Sequence, residues 1–115
     1  MATSRSRSEP RLARGLELIR AGEFFAAHEV LEDAWRAAEP GERDFYQGLV
    51  HVAVAWYQAS RRNRVGCERQ LEKAARRLGP YAPAHRGLDV AALLASVEEA
   101  RGRYPDLPSP VLRNV

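Results

Sequence analysis

The chain has 115 residues and a formal net charge of +3, with 45% hydrophobic and 29% charged residues. This balance is typical of one globular domain rather than of a disordered segment. No apolar run approaches the roughly 18 residues of a membrane-spanning helix, and the basic N-terminus leads into no hydrophobic segment. A single cysteine, Cys67, excludes an internal disulfide and a cysteine-based zinc motif. We therefore expect a soluble cytoplasmic protein that makes no membrane contact.

Turn residues divide the chain into five predicted helices, and no strand is expected. Gly22 ends the first helix, and Pro40 and Gly41 stop the second. Asn63 is expected to adopt a left-handed conformation after the third helix, and Asp89 to cap the fifth. The helices are predicted at about residues 8–21, 24–38, 42–61 and 65–78, and from residue 90 onward.

The same punctuation predicts the domain organisation. Residues 1–7 form a flexible basic tail, residues 8–104 a single helical domain, and residues 105–115 an extended, proline-rich C-terminal segment. A weak repeat at an offset of 40 residues suggests stacked helix pairs. We predict an all-α fold, a compact bundle of about five helices arranged as stacked antiparallel hairpins and loosely tetratricopeptide-like.

The second predicted helix carries the most informative pattern in the chain. Its apolar stripe contains Phe24, Ala27, Leu31, Ala34 and Trp35. His28 lies inside the edge of this stripe, Glu32 follows one turn later at its boundary, and Glu29 belongs to the polar face. Since a buried polar group without a partner costs about 1–3 kcal/mol, we expect His28 and Glu32 to have a partner.

The third predicted helix is apolar around most of its circumference, which is typical of the central helix of a bundle. Gln47 and His51 lie one turn apart on its narrow polar stripe, beside the small residue Gly48. Small residues allow another helix to approach closely, and the second helix is the expected neighbour. The prediction is that His28 or Glu32 lies within about 2.6–3.2 Å of Gln47, His51 or a shared ligand.

Three sequence blocks resemble the bacterial and archaeal domain-of-unknown-function family 309. The blocks are Phe24-Phe25-Ala26-Ala27-His28-Glu29-Val30-Leu31-Glu32 with Trp35, then Arg43-x-x-Tyr46-Gln47-Gly48-Leu49-Val50, and Gly87-Leu88-Asp89. The resemblance extends from roughly Gly15 to Arg101. It implies a small all-helical fold and supplies no established activity, although members are sometimes labelled predicted metal-dependent hydrolases.

The resemblance also maps the family's characteristic polar residues onto this chain, at His28, Glu29, Glu32 and Gln47. Two positions depart from the family pattern as the resemblance gives it. Relatives often carry Gln or an apolar residue where this chain has His51, and His where it has Gln58. This departure argues against a family-wide mechanism that requires His51.

Two interpretations of the polar site remain open. In the first, His28, Glu32 and His51 bind one divalent cation, such as zinc, iron or manganese, and Glu29 serves as a base in a metal-dependent hydrolase. In the second, the same side chains and Gln47 form a hydrogen-bonded network that fixes helix register, and the protein is an interaction or structural module. The His-Glu-x-x-His spacing of zinc proteases does not occur, because position 32 is Glu. We favour the second interpretation.

Charge is distributed unevenly along the chain. Residues 21–45 contain seven acidic residues against two arginines, and residues 61–80 contain seven basic residues against two glutamates. Opposite segments of this kind favour packing against each other, or against the opposite segment of a second copy. We predict a homodimer that pairs them across a two-fold axis, with exposed Val111 and Leu112 of the C-terminal segment contributing. Weak nucleic-acid binding through Arg61 to Arg77 is a further alternative, not the expected one, because no base-stacking aromatic residues are interleaved.

Overall fold

Five helices account for most of the structure, a computed structural model that describes residues 8–115. They are α1 (Ser8–Arg20), α2 (Phe24–Ala37), α3 (Arg43–Ser60), α4 (Arg64–Leu78) and α5 (Val90–Ala100). Short 3-10 turns cover Pro40–Glu42 and Gly79–Tyr81. The prediction of a mostly helical fold of five helices is confirmed. The predicted basic tail, residues 1–7, lies outside the described residues.

Helices that are consecutive in the chain pack against each other, from α1 to α5. The α3 helix lies between α2 and α4, and ten of its residues are buried. Those residues are Phe45, Tyr46, Gly48, Leu49, Val50, Val52, Ala53, Ala55, Trp56 and Ala59. The prediction that the third helix is the central one therefore agrees with the packing. Within residues 8–115, no helix is both long enough and apolar enough to cross a bilayer.

Two glycines mark where helices approach each other most closely. A methyl group on Gly15 of α1 would lie 2.5 Å from a methyl carbon of Leu31 on α2. A methyl group on Gly48 of α3 would lie 2.6 Å from Cγ of Leu78 on α4. The close approach at Gly48 is therefore made by α4, not by α2 as the sequence analysis expected. This difference decides which helix meets the polar stripe of α3.

The turn between α3 and α4 differs from the prediction by one residue. Arg62 has the positive φ, 61°, whereas Asn63 has a φ of −101° and is the N-cap of α4. The side-chain oxygen of Asn63 accepts a hydrogen bond from the backbone N–H of Gly66 at 2.8 Å. Capping of an otherwise unpaired helical N–H explains why Asn63 takes this position.

A small hairpin precedes α5, contrary to the expectation of no strand. Its strands are β1 (Ala84–His85) and β2 (Leu88–Asp89), paired antiparallel. The two connecting residues, Arg86 and Gly87, both have positive φ, 48° and 79°. This is the geometry of a tight two-residue hairpin turn, for which Asn-Gly is the usual sequence signal. Asp89 ends the hairpin and caps α5, since its carboxylate accepts from the N–H of Ala92.

The C-terminal segment, residues 105–115, lies across several helices. Trp56 of α3 donates from Nε1 to the carbonyl of Pro108, and Arg20 of α1 donates to the carbonyl of Leu112. The end of the segment pairs with the hairpin through an isolated bridge between Leu88 and Asn114. Leu112 is only 8% exposed and joins the core, so the expectation of an exposed Leu112 was wrong. Val111 is exposed, as expected.

Candidate functional site

The motif residues of α2 lie on the side of the helix that borders α3. Ala27, Leu31 and Ala34 are fully buried and hold the helix in place. Next to this buried stripe, the side chain of His28 is 21% exposed and that of Glu32 is 38% exposed. Glu29 is exposed. The imidazole of His28 is therefore the least exposed polar group of the motif, and the carboxylates of Glu32 and Glu29 are more exposed to solvent.

The hydrogen bond of His28 defines which ring nitrogen carries a proton. Its Nδ1 lies 2.7 Å from the backbone carbonyl of Phe25, one turn earlier. Because a carbonyl oxygen can only accept, Nδ1 is the donor. In the neutral ring, Nε2 is then an acceptor, and it lies 4.0 Å from Oε2 of Glu32. Glu32 in turn accepts from Arg36 at 3.4 Å.

His28 lines a groove between α2 and the C-terminal half of α3, here called the α2–α3 groove. Its walls are Phe25, His28, Val54, Tyr57 and Gln58, and its volume is about 180 Å³. The Phe25 ring lies 4.8 Å from the His28 ring and 5.3 Å from the Tyr57 ring, measured between centroids. Phe25 nevertheless remains 50% exposed. The motif therefore forms one side of a small, mainly apolar groove.

His51 does not join His28, contrary to the sequence prediction. Its Nδ1 donates to Oε1 of Gln70 on α4 at 2.7 Å. Its Nε2 is buried and has no hydrogen-bond partner within residues 8–115. Burial lowers the pKa of His51, and the neighbouring cations Arg77 and Lys73 act in the same direction, against the raising effect of Gln70. The imidazole is thus held neutral between α3 and α4.

Gln47 also makes no contact of the predicted kind: within residues 8–115 its side chain has no hydrogen bond to His28 or Glu32. The reason is the register of the α2–α3 pair. A short connection joins the antiparallel helices, so the start of α2 lies beside the end of α3. His28 therefore faces Val54 and Gln58, more than one turn beyond Gln47.

The side chains predicted to bind a metal do not come together in the described part of the structure. Across residues 8–115, no three His, Cys, Asp or Glu side chains form a group that could hold a metal ion. His28 and Glu32 remain neighbours, but His51, the third ligand of that hypothesis, is bonded to Gln70. Cys67 is buried as a free thiol, and burial raises its pKa, with Glu68 adding to the shift. A protonated, buried thiol is a poor nucleophile.

A second polar cluster, which the sequence analysis missed, ties the hairpin to the rest of the fold. Arg86 donates from Nε to Oε1 of Glu42 at 2.6 Å and from Nη1 to Oε2 of Glu9 at 2.8 Å. His85 lies 2.7 Å from the same oxygen of Glu42 and stacks edge-on against Phe45. These residues lie up to 77 positions apart in the chain. No residue spacing in the sequence indicates this cluster. The positive φ of Arg86 marks the turn that carries it, but that angle is known only from the structure.

Burial and hydrogen bonding act in opposite directions on Glu42. Desolvation raises the pKa of its carboxyl, whereas the hydrogen bonds from Arg86 and His85 lower it. Together with the charges of the same two residues, these bonds prevail, and the pKa lies below its ordinary value. The ionised form of Glu42 is therefore part of the folded structure.

The opposite charges seen in the sequence are only partly compensated inside the chain. Arg77 pairs with Asp44 at 2.7 Å and Arg64 with Glu68 at 3.5 Å. In the basic segment, residues 61–80, five exposed cations have no ion pair with any residue in the described range 8–115: Arg61, Arg62, Arg69, Lys73 and Arg76. Among the acidic residues of α2, exposed Glu29 is likewise without an ion pair within that range.

The fold and the groove define a small, mostly helical protein whose motif residues lie at the contact between its second and third helices. The chain belongs to the family described as Domain of unknown function (DUF309), whose model matches residues 12–70, a little over half of the chain. That range covers α2, α3 and the α2–α3 groove, and it ends within α4. The expected resemblance is thereby confirmed.

One relative gives a further point of comparison. Over 55 residues the chain is 33% identical to the uncharacterized protein YpuF of Bacillus subtilis (strain 168). The aligned stretch covers 47% of this chain and 32% of YpuF. The chain thus spans about a third of the length of this relative.

Proposed function

We propose that the chain is a small protein-interaction module that acts in the cytoplasm and whose partner is a second copy of itself. The observation that carries this proposal is the set of exposed, unpaired charges of opposite sign. Within the part of the chain that the structure describes, cations without an ion pair occupy the α3–α4 turn and the outer face of α4, and Glu29, likewise without one, lies on α2. Complementary patches of this kind steer association and fix its register. The free, buried thiol of Cys67 suits a reducing compartment.

The charge pattern favours a two-fold homodimer because each copy carries both signs. In a two-fold interface the same patch is present on both copies, so an acidic region of one meets a basic region of the other twice. Within residues 8–115, Asp44 and Arg77 form the one ion pair that links α3 and α4. The remaining cations are free to meet the carboxylates of a partner copy.

The size of the α2–α3 groove supports an interaction role over the binding of a cofactor. Pockets that enclose drug-sized ligands are about 300–1,000 Å³. At about 180 Å³, the groove has room for one side chain. Its apolar lining with a single aromatic ring at the surface is typical of the anchor positions in protein interfaces.

The hydrolase alternative is less well supported by the geometry. Catalytic zinc sites use three protein ligands and keep one position open for water. His28 and Glu32 offer two, and the bond from His51 to Gln70 directs the third candidate to α4. Metal analysis of protein purified without an affinity tag or a chelator tests this alternative. Stoichiometric zinc, iron or manganese that is lost in His28→Ala would establish a metal site and displace the interaction proposal.

Nucleic-acid binding is also less well supported than self-association. The basic segment from Arg61 to Arg77 includes two residues already paired with carboxylates, Arg64 and Arg77. Arg64 and Arg61 further lie over the rings of Tyr104 and Tyr57, so these aromatic faces are occupied by cations. Binding to single strands normally uses such faces for base stacking.

Sedimentation velocity over a range of protein concentrations tests the proposed self-association. We expect a monomer–dimer equilibrium that shifts toward monomer as salt rises from about 0.05 to 0.5 M, because screening weakens contacts between exposed charges. A monomer at every concentration and ionic strength would refute the proposal. A dimer that is insensitive to salt would show that charge pairing does not drive it.

A further inference from the structure

The α2–α3 groove combines a protruding ring with an adjoining hollow. Phe25 is held on Tyr57 and His28, yet half of its surface is free. The hollow beside it is lined by Val54 and Gln58 and has the volume of about one side chain. A knob and a hole on one patch are self-complementary, because a two-fold rotation places each knob against the other copy's hole.

Charged side chains of opposite sign lie at the two ends of the groove, an arrangement that suits the same two-fold rotation. Near one end, the guanidinium of Arg61 lies over the Tyr57 ring at 5.8 Å from its centroid. Toward the other end, Glu29 and Glu32 follow Phe25 and His28 by one helical turn. Because α2 and α3 are antiparallel, Arg61 and these carboxylates lie on opposite sides of the aromatic centre.

We infer that the α2–α3 groove is the centre of a two-fold interface between two copies of this chain. The Phe25 ring of each copy enters the groove of the other, and Arg61 of each copy meets Glu29 of the other. This inference rests on the proposed self-association and names its interface. A stable dimer buries about 1,200–2,000 Å² in total. The contact therefore extends from the groove to the outer face of α2 and the α3–α4 turn.

The anchor role of Phe25 is tested by the dimer dissociation constant of Phe25→Ala, measured by sedimentation in low salt. We expect this constant to rise at least tenfold, because aromatic anchors dominate interface energies. The matched control is Val115→Ala, which shortens another exposed apolar side chain away from the groove and should leave the constant unchanged. Thermal melting monitored by circular dichroism checks that both variants remain folded. Equal constants for Phe25→Ala and the wild type would overturn the inference.

Charge reversal tests the pairing of the groove ends independently of Phe25. Glu29→Arg and Arg61→Glu should each weaken the dimer several-fold, since each places like charges opposite each other. The double variant, Glu29→Arg with Arg61→Glu, restores opposite charges and should recover most of the affinity. A double variant no tighter than either single variant would overturn the pairing.

The outcomes separate the two proposals. A wild-type chain that is monomeric throughout refutes the self-association itself. A wild-type dimer with the same affinity in Phe25→Ala and in the charge reversals refutes only the assignment of the interface to the groove.

Discussion

Arg86 donates its Nε–H to Oε1 of Glu42 at 2.6 Å, and this ion pair fastens the hairpin to the turn that precedes α3. Both side chains are about four-fifths buried, and the other end of the guanidinium reaches Glu9 on α1. Three distant parts of the chain are thereby held by one cation. The contact makes the stability of the fold dependent on the charge of Glu42.

Stability should fall on acidification because of Glu42. Its pKa in the folded protein lies below the ordinary value, so the contribution is complete above the unfolded pKa and is lost as pH falls through the folded one. We expect the free energy of unfolding, from urea denaturation, to decline between about pH 5 and pH 3. In Glu42→Gln the decline should be shallower and the stability at pH 7 lower by about 1–3 kcal/mol. An identical pH profile in the variant would contradict this role.

Gly48 should not tolerate a methyl group. In Gly48→Ala the new carbon would lie 2.6 Å from Cγ of Leu78, a fully buried side chain, so that Leu78 or α4 has to shift. Overpacking of this kind costs about 1–3 kcal/mol. The control is Gly41→Ala, where a methyl group meets no atom within 4 Å outside the neighbouring residues and the following residue is not proline. Urea denaturation should show that Gly41→Ala is as stable as the wild type or slightly more so. Equal stabilities of Gly48→Ala and Gly41→Ala would show that α4 does not approach Gly48 closely.

The C-terminal segment contributes the buried side chain of Leu112 to the core. Leu112→Ala should destabilise the protein by about 2–3 kcal/mol, since removal of a buried leucine side chain leaves a cavity. The neighbouring Val111 is 37% exposed, and Val111→Ala should change stability by less than about 0.5 kcal/mol. Thermal unfolding of both variants measures the difference. Two variants of equal stability would mean that the segment does not pack as described.

Asn63 should stabilise α4 through its cap. Asn63→Ala removes the acceptor for the N–H of Gly66, and the expected loss is about 1 kcal/mol in the free energy of unfolding. Asn63→Asp keeps an acceptor and adds a negative charge at a helix N-terminus, so its stability should match the wild type. Guanidinium denaturation of the three proteins provides the comparison. A loss of equal size in Asn63→Asp would exclude capping as the cause.

The sequence alone determined the helices and the core, because both depend on local signals. Gly22, Pro40 and Gly41 interrupt the chain where helices end, and apolar residues recur at helical spacing between them. The central position of α3 followed from a helix that is apolar on nearly every side. The same reasoning placed His28 at the edge of a buried stripe, where the structure has it.

Tertiary structure decided which helices share the polar residues. An α3 helix that is buried on most sides has two neighbours, and its periodicity does not say which of them His51 meets. The short α2–α3 connection sets a register that places His28 beside Val54 and Gln58, and Gly48 lets α4 reach His51 through Gln70. The cluster of Arg86 with Glu42 and Glu9 depends on packing between distant segments. Local residue patterns carry no information about such contacts, because they form only after the helices have assembled.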